Sequence, residues 1–235
     1  MSGDDVAARV DRLDWGRIHD ELDRWGIART GPLLTAAECE AVAALYETGS
    51  FRSRVVMARH GFGSGEYRYF AAPLPPLVRR LREAVYPHAV RTANAWAGRL
   101  GGAPFPETLD GMLALCRAAG QTRPTPLLLK YGPGDYNCLH QDIYGACAFP
   151  LQLVVLLTDP SAFEGGEFVM TEQRPRMQSR AEVVALGRGE GALFTTAERP
   201  RRGTRGDYRV RMRHGVSRVR AGERMTLGVI FHDAA

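Results

Sequence analysis

Along the first half of the chain, apolar positions fall at helical intervals. Val6, Val10, Leu13, Ile18, Leu22 and Trp25 predict one helix over residues 4–25, closed by Gly26. A short strand at 27–28 follows. Thr35, with Glu38 three residues on, forms a capping-box pattern that opens a helix to about Thr48. Residues 51–60 and 66–72 read as two strands around the Gly-rich turn 61–65. Pro75 and Pro76 open a long amphipathic helix to about Leu100, and a further helix is expected over 106–119.

From Pro124 the period changes. Short runs at 127–131, 151–158, 167–171, 182–186, 192–195, 209–213 and 224–231 read as strands punctuated by Gly, Pro and Asp. Strands at such intervals predict a sandwich or barrel, with the jelly roll among the natural candidates. The expected fold is mainly β with flanking helices, a single domain over 1–235. In it, 1–123 is mostly helical support with an N-terminal hairpin, and 124–235 is the core.

Composition narrows the setting. The longest apolar run, 149–157, is interrupted by Pro150 and Gln152, so no membrane span is expected. Residues 1–14 are rich in Asp and Arg and hold no apolar stretch, so no signal peptide is read there and a cytoplasmic location is expected. Cys39, Cys116, Cys138 and Cys147 form no C-x-x-C pair and read as free thiols. The net charge of +5 is carried by arginine, since Lys130 is the single lysine. Residues 174–224 hold fourteen arginines and five acids, which marks either a solvated basic face or a surface for an anionic substrate or nucleic acid backbone.

The chemistry begins at His140-Gln141-Asp142. On a strand, residues two apart share a face, so an imidazole and a carboxylate converge. His214, in the same β-rich half, supplies a second imidazole. Two histidines and one carboxylate form the facial triad of non-haem Fe(II) oxygenases, with three positions left for a 2-oxo acid and dioxygen. His19 and His88 sit in helical segments and read as packing residues, His60 as a possible substrate contact, and His232 as structural. Arg224 lies on the strand after His214 and offers a bidentate partner to a buried carboxylate. Thr226 shares its face by period two, Gly228 leaves room there, and the Tyr131 hydroxyl either reaches the same ligand or pairs within the core.

Three stretches carry a resemblance: Leu127-Leu-Leu-Lys-Tyr-Gly-Pro-Gly-Asp-Tyr-Asn-Cys-Leu-His-Gln-Asp142, Gly165-Gly-Glu-Phe168, and His214-Gly-Val-x-x-Val-x-x-Gly-x-Arg-x-Thr226. Together they resemble the Fe(II)/2-oxoglutarate oxygenase superfamily. The Tyr-x-Pro-Gly turn before Leu-His-Gln-Asp looks like the AlkB branch of nucleic acid demethylases, and the other two look like the prolyl 4-hydroxylase branch. The C-terminal segment, with Arg199-Pro-Arg-Arg-Gly-Thr-Arg-Gly-Asp-Tyr208, is similar to a bacterial oxygenase family described as repairing damaged DNA.

The resemblance implies a double-stranded β-helix (jelly-roll) core. It implies His140, Asp142 and His214 as iron ligands, and Arg224, Tyr131 and Thr226 on 2-oxoglutarate. It further implies hydroxylation of a C–H bond with dioxygen, 2-oxoglutarate leaving as succinate and CO2. Asp142 argues against halogenation. Two positions depart from the AlkB pattern: Phe231 replaces an arginine, and Tyr144 replaces an acid that helps read a methylated base.

The leading expectation is therefore hydroxylation of an amino-acid, protein side-chain or small-metabolite substrate. The alternative is oxidative demethylation of alkylated DNA or RNA bases, and a third is a non-catalytic metal-binding jelly-roll module. Candidate substrate contacts are Tyr136, Asn137, Tyr144, Arg205, residues 52–69 and the 199–207 loop.

Overall fold

The structure, a computed structural model, describes residues 5–143 and 145–235. Five helices and fifteen strands are formed among them. The helices are α1 (Val6–Asp11), α2 (Trp15–Trp25), α3 (Ala36–Thr48), α4 (Pro76–Arg99) and α5 (Leu109–Ala118). In the first half the strands are β1 (Ile27–Pro32), β2 (Phe51–Val56), β3 (Gly63–Ser64) and β4 (Glu66–Phe70). From there run β5 (Leu127–Tyr131), β6 (Tyr136–His140), β7 (Leu151–Leu156), β8 (Phe163–Gly165), β9 (Phe168–Gln173) and β10 (Arg180–Val184). The last are β11 (Glu190–Thr195), β12 (Glu198–Gly203), β13 (Gly206–Val216), β14 (Val219–Gly222) and β15 (Arg224–Ile230).

The single helix expected over 4–25 is two. The chain breaks after Asp11, and Asp14 restarts it by accepting a 3.0 Å hydrogen bond from the Arg17 N–H. The capping box at α3 is present, the Thr35 hydroxyl accepting from Glu38 N–H and the Glu38 carboxylate accepting from Thr35 N–H. No helix among the described residues is long and apolar enough to cross a membrane.

Two sheets face each other in the helix-flanked jelly roll. The larger runs β1-β11-β7-β15-β5-β4-β2, and the smaller runs β10-β9-β13-β6-β3, with β12 paired to β13. The first-half strands, β1 at one edge and the expected hairpin β2–β4 at the other, thus extend the larger sheet. The central strands β7 and β15 are buried on both faces, and period two sorts their side chains. Leu151, Leu153 and Val155 of β7, with Met225, Leu227 and Val229 of β15, join the helices in one core. Val154 and Leu156 point the other way, into a second core between the sheets with Phe168, Phe194 and Met212. Each such fully buried side chain contributes about 1.5–3 kcal/mol. The same alternation turns Gln152, Arg224, Thr226 and Gly228 toward the space between the sheets.

Candidate active site

His140 closes β6, and its cross-strand partner on β13 is His214. Directly opposed residues share a face, so both imidazoles project between the sheets, with ring centroids 4.3 Å apart. Gly215 follows His214 because β6 passes close by: a Cβ there would stand 2.6 Å from the Asn137 carbonyl oxygen. Asp142 arrives differently from the expectation. β6 ends at His140, so Asp142 is no strand neighbour of it, and the turn that follows swings the carboxylate back. Its Oδ1 lies 3.4 Å from His140 Nε2 and its Oδ2 3.2 Å from His214 Nε2. One donor atom from each of the three residues falls within 4.8 Å of the others.

The protonation states suit a divalent cation. Burial pushes the Asp142 carboxyl up, but hydrogen bonds from the two imidazoles outweigh it and hold the group well below the ordinary carboxylate range. Burial lowers His214, leaving it neutral. Nδ1 of His140 sits 2.8 Å from the Cys138 carbonyl oxygen. Burial lowers His140, but its hydrogen bond to the Asp142 carboxylate outweighs that and raises the ring above its ordinary value. From the opposite sheet, the Gln152 amide donates to Asp142 Oδ2 at 2.9 Å. With a divalent cation in place of the protons shared among them, two imidazole nitrogens and one anchored carboxylate are a donor set that fits Fe(II).

Across the cavity, Arg224 and Tyr131 face one another on paired strands. Both are buried, at 3% and 0% exposure, and neither Arg224 Nη1 nor the Tyr131 hydroxyl has a hydrogen-bond partner. Burial lowers the Arg224 guanidinium to about 10 and pushes the Tyr131 hydroxyl up. Native structures rarely leave such groups unmatched. A carboxylate placed between them satisfies both, and Thr226, also buried, shares their cavity. The Gly165-Gly166 turn packs on this arginine. Gly166 has φ 65°, and a Cβ there would stand 2.8 Å from Arg224 Cδ.

The cavity joining these groups measures about 360 Å³. Leu129, Val154, Phe168 and Phe194 line it, together with Tyr67 and Tyr69. Among the described residues, the charged side chains lining it are the His-Asp-His cluster and Arg224. Of the candidate substrate contacts, Asn137 lines the cavity, whereas Tyr136 lies outside its lining and Arg205 stands in the β12–β13 turn. Tyr144 lies outside the described residues. Gln152 and Phe194 escaped sequence reading. A lone polar residue inside the apolar run 151–157 is the signal that marks Gln152.

The basic segment 199–213 is a β-hairpin and not a loop. Arg199 has no exposure and is ion-paired with Glu172, and it donates to the carbonyls of Asp23 and Arg24 at 2.8 and 3.1 Å. Arg199 therefore holds the fold and touches no substrate. His60 stacks on Phe62 at 5.3 Å and does not line the cavity. His88 stacks on Trp15, His19 pairs with Thr92, and the four cysteines are free, all as expected.

Comparison with known proteins places these features. Residues 65–234 match the family Oxygenase-NA, described as an oxygenase catalysing oxidative methylation of damaged DNA. An uncharacterized protein of Mycobacterium tuberculosis, strain H37Rv, is 51% identical over 168 residues, covering 71% of this chain and 72% of that protein. Its counterpart in strain CDC 1551 matches equally. Among solved structures, a 2OG-Fe(II) oxygenase-family oxidoreductase from Burkholderia pseudomallei aligns with TM-score 0.56 at 17% identity, over 94% of this chain and 92% of that one. A Trichoplax adhaerens prolyl hydroxylase, solved with a hypoxia-inducible-factor peptide, aligns with TM-score 0.60 at 14% identity, over 95% and 90%. These two structures share the fold.

Proposed function

Because the chain belongs to the Oxygenase-NA family, within the 2OG-Fe(II) oxygenases, we propose that His140, Asp142 and His214 hold its iron and that Arg224, Tyr131 and Thr226 hold its 2-oxoglutarate. The protein is a 2-oxoglutarate-dependent non-haem iron dioxygenase, with Fe(II), 2-oxoglutarate and dioxygen as its cofactors. The observation that carries the residue assignment is the pair of buried, unmatched groups, Arg224 and Tyr131, across one cavity from the His-Asp-His cluster.

Bound together, the iron, 2-oxoglutarate and dioxygen supply the oxidant that converts a substrate C–H to C–OH while 2-oxoglutarate leaves as succinate and CO2. The chain's own residues prepare that chemistry. Arg224 neutralises the distal carboxylate in a dry site, where a charge-assisted contact is strong. Tyr131 would donate a hydrogen bond to the same carboxylate and fix the ligand's direction. Leu129, Val154, Phe168 and Phe194 exclude water along the path. Gln152 donates to Asp142 Oδ2 and steadies the carboxylate that would hold the iron.

For the substrate, the reading best supported is an alkylated nucleobase, hydroxylated on its N-alkyl carbon, which then departs as an aldehyde. Its support is the family's description and the aromatic side chains of Tyr67, Tyr69 and Phe62 in the cavity lining. That reverses the order favoured from Tyr144 and Phe231. Phe231 is buried against Tyr86 and Phe149 on the helical side, so its position bears on packing and not on the cavity. A peptidyl substrate is the second reading, supported by the peptide held by the Trichoplax enzyme.

The test is succinate release from purified, iron-loaded protein, with formaldehyde measured against methylated single-stranded DNA. Succinate without formaldehyde from any methylated base returns the choice to the peptidyl or small-molecule class. Full succinate release by His140→Ala, Asp142→Ala or His214→Ala removes the triad assignment.

A further inference from the structure

The outward face of β13 carries Arg209, Arg211 and Arg213 at every second position, all three exposed, while Val210, Met212 and His214 between them are buried. Two residues of strand advance about 6.7 Å. Three guanidinium groups therefore rise from a sheet at a regular step, close to the spacing of successive phosphates along an extended single strand. The surroundings leave them available. On β9 the partners of Arg211 and Arg213 are Gln173 and Thr171, both neutral, and on β12 Glu198 stands opposite Arg211 without forming an ion pair to it. Glu198 approaches Arg209 at 3.4 Å across an exposed pair, where the attraction is weak. No described side chain forms an ion pair with Arg211 or Arg213. The hairpin's earlier arginines differ, since Arg199 and Arg201 are engaged by Glu172.

The stripe also leads somewhere. Arg213 precedes His214, whose partner His140 follows Leu139. Leu139 is 47% exposed and lines the cavity with Phe62 and Ile143, which are 48% and 63% exposed. Basic residues in line on one strand thus end beside an apolar rim at the cavity mouth.

We propose that the outer face of β13 is a track for the phosphate backbone of a single-stranded nucleic acid. Arg209, Arg211 and Arg213 each take one phosphate, and the Phe62–Leu139–Ile143 rim supports the base that turns toward the cavity. The proposal rests on the nucleic-acid reading above and adds the surface that recognises the strand. An acidic peptide could match the charges, but it has no use for the half-exposed Phe62 ring beside them. A base stacks on such a side chain at every step.

The test is fluorescence anisotropy of the full chain with a labelled oligothymidylate about 15 nucleotides long, within the span such sites cover. Three phosphate contacts give a log–log salt slope near −2, so affinity falls about 20-fold between about 50 and about 200 mM salt. The triple variant Arg209→Gln, Arg211→Gln, Arg213→Gln should lose that slope. Arg79→Gln, Arg80→Gln, Arg91→Gln on α4 removes the same charge and should keep it. Should the triple variant not fold, R211Q and R213Q alone each reduce the slope by about 0.7. Equal losses in the two triple variants, or a wild-type slope near zero, overturn the track. So does equal affinity for a polyglutamate of the same charge. Succinate release by the wild-type protein reports on the metal site separately, so loss of the track and loss of the oxygenase assignment are distinct results.

Discussion

Gln152, on the larger sheet, donates a 2.9 Å hydrogen bond to the carboxylate of Asp142, in the turn that leaves the smaller one. The contact ties together two chain segments that meet only across the cavity, and it reaches the one oxygen of Asp142 that His214 also approaches. Because Asp142 lies beyond the end of β6, no strand ladder holds it, and Gln152 joins the two imidazoles in fixing its rotation.

Gln152→Leu keeps the volume and removes the donor. Loss of an outer-shell partner commonly costs 10- to 100-fold in metal affinity. We expect a fall of that order in Co(II) affinity, followed by visible absorption, with the melting temperature little changed. Gln152→Glu should lose more, since it sets a second carboxylate against the first. Unchanged Co(II) affinity in both variants would show that the turn alone orients Asp142.

Arg224 and Tyr131 separate charge from direction. Arg224→Ala removes a charge-assisted contact worth about 2–4 kcal/mol, so the KM for 2-oxoglutarate should rise roughly 30- to 1000-fold. Tyr131→Phe removes one neutral donor, about 0.5–1.5 kcal/mol, and should raise it roughly 2- to 12-fold. Co(II) affinity should be spared in both. An unchanged KM in Arg224→Ala would move the anchor elsewhere.

Features written in local pattern were legible in the sequence. The Thr35–Glu38 box needs only four residues, and the alternation on β15 separates Met225, Leu227 and Val229 from Arg224, Thr226 and Gly228 within one strand. The three residues of the His-Asp-His cluster were singled out by residue type, and the structure brings them together. What stayed hidden depends on partners far along the chain. Arg199 reads as one more basic residue until β9 delivers Glu172 and α2 delivers its terminal carbonyls. Asp142 reads as a strand residue because nothing local says that β6 stops at His140.

That buried pair gives a stability prediction. Arg199 and Glu172 are both nearly without exposure, and Arg199 closes the C-terminus of α2 through Asp23 and Arg24. Arg199→Ala leaves those carbonyls and a buried carboxylate short of donors, at a cost of about 3–5 kcal/mol. Denaturant unfolding should show a lower midpoint with an unchanged m-value. A loss below about 1 kcal/mol would mean that Arg174 and Arg201 satisfy Glu172 without it.

His232 gives the pH dependence of the fold. The residue has no exposure, and its Nδ1 accepts a 3.1 Å hydrogen bond from the Phe149 N–H, which only the neutral ring can do. Burial, with Arg82 nearby, lowers its pKa from 6.5 to about 4. In the unfolded chain the ring regains its ordinary value, so between these two pH values the unfolded state binds the extra proton. Stability is therefore full above about pH 6.5 and falls as pH drops toward 4, by roughly 3 kcal/mol across the window. His232→Asn places an amide oxygen where Nδ1 stood and cannot titrate. Its unfolding free energy should decline less steeply between pH 6.5 and 4, the remaining slope coming in part from His19, which burial also lowers. Parallel pH profiles for wild type and variant would show that His232 is protonated in the folded protein, and that Phe149 N–H finds another acceptor.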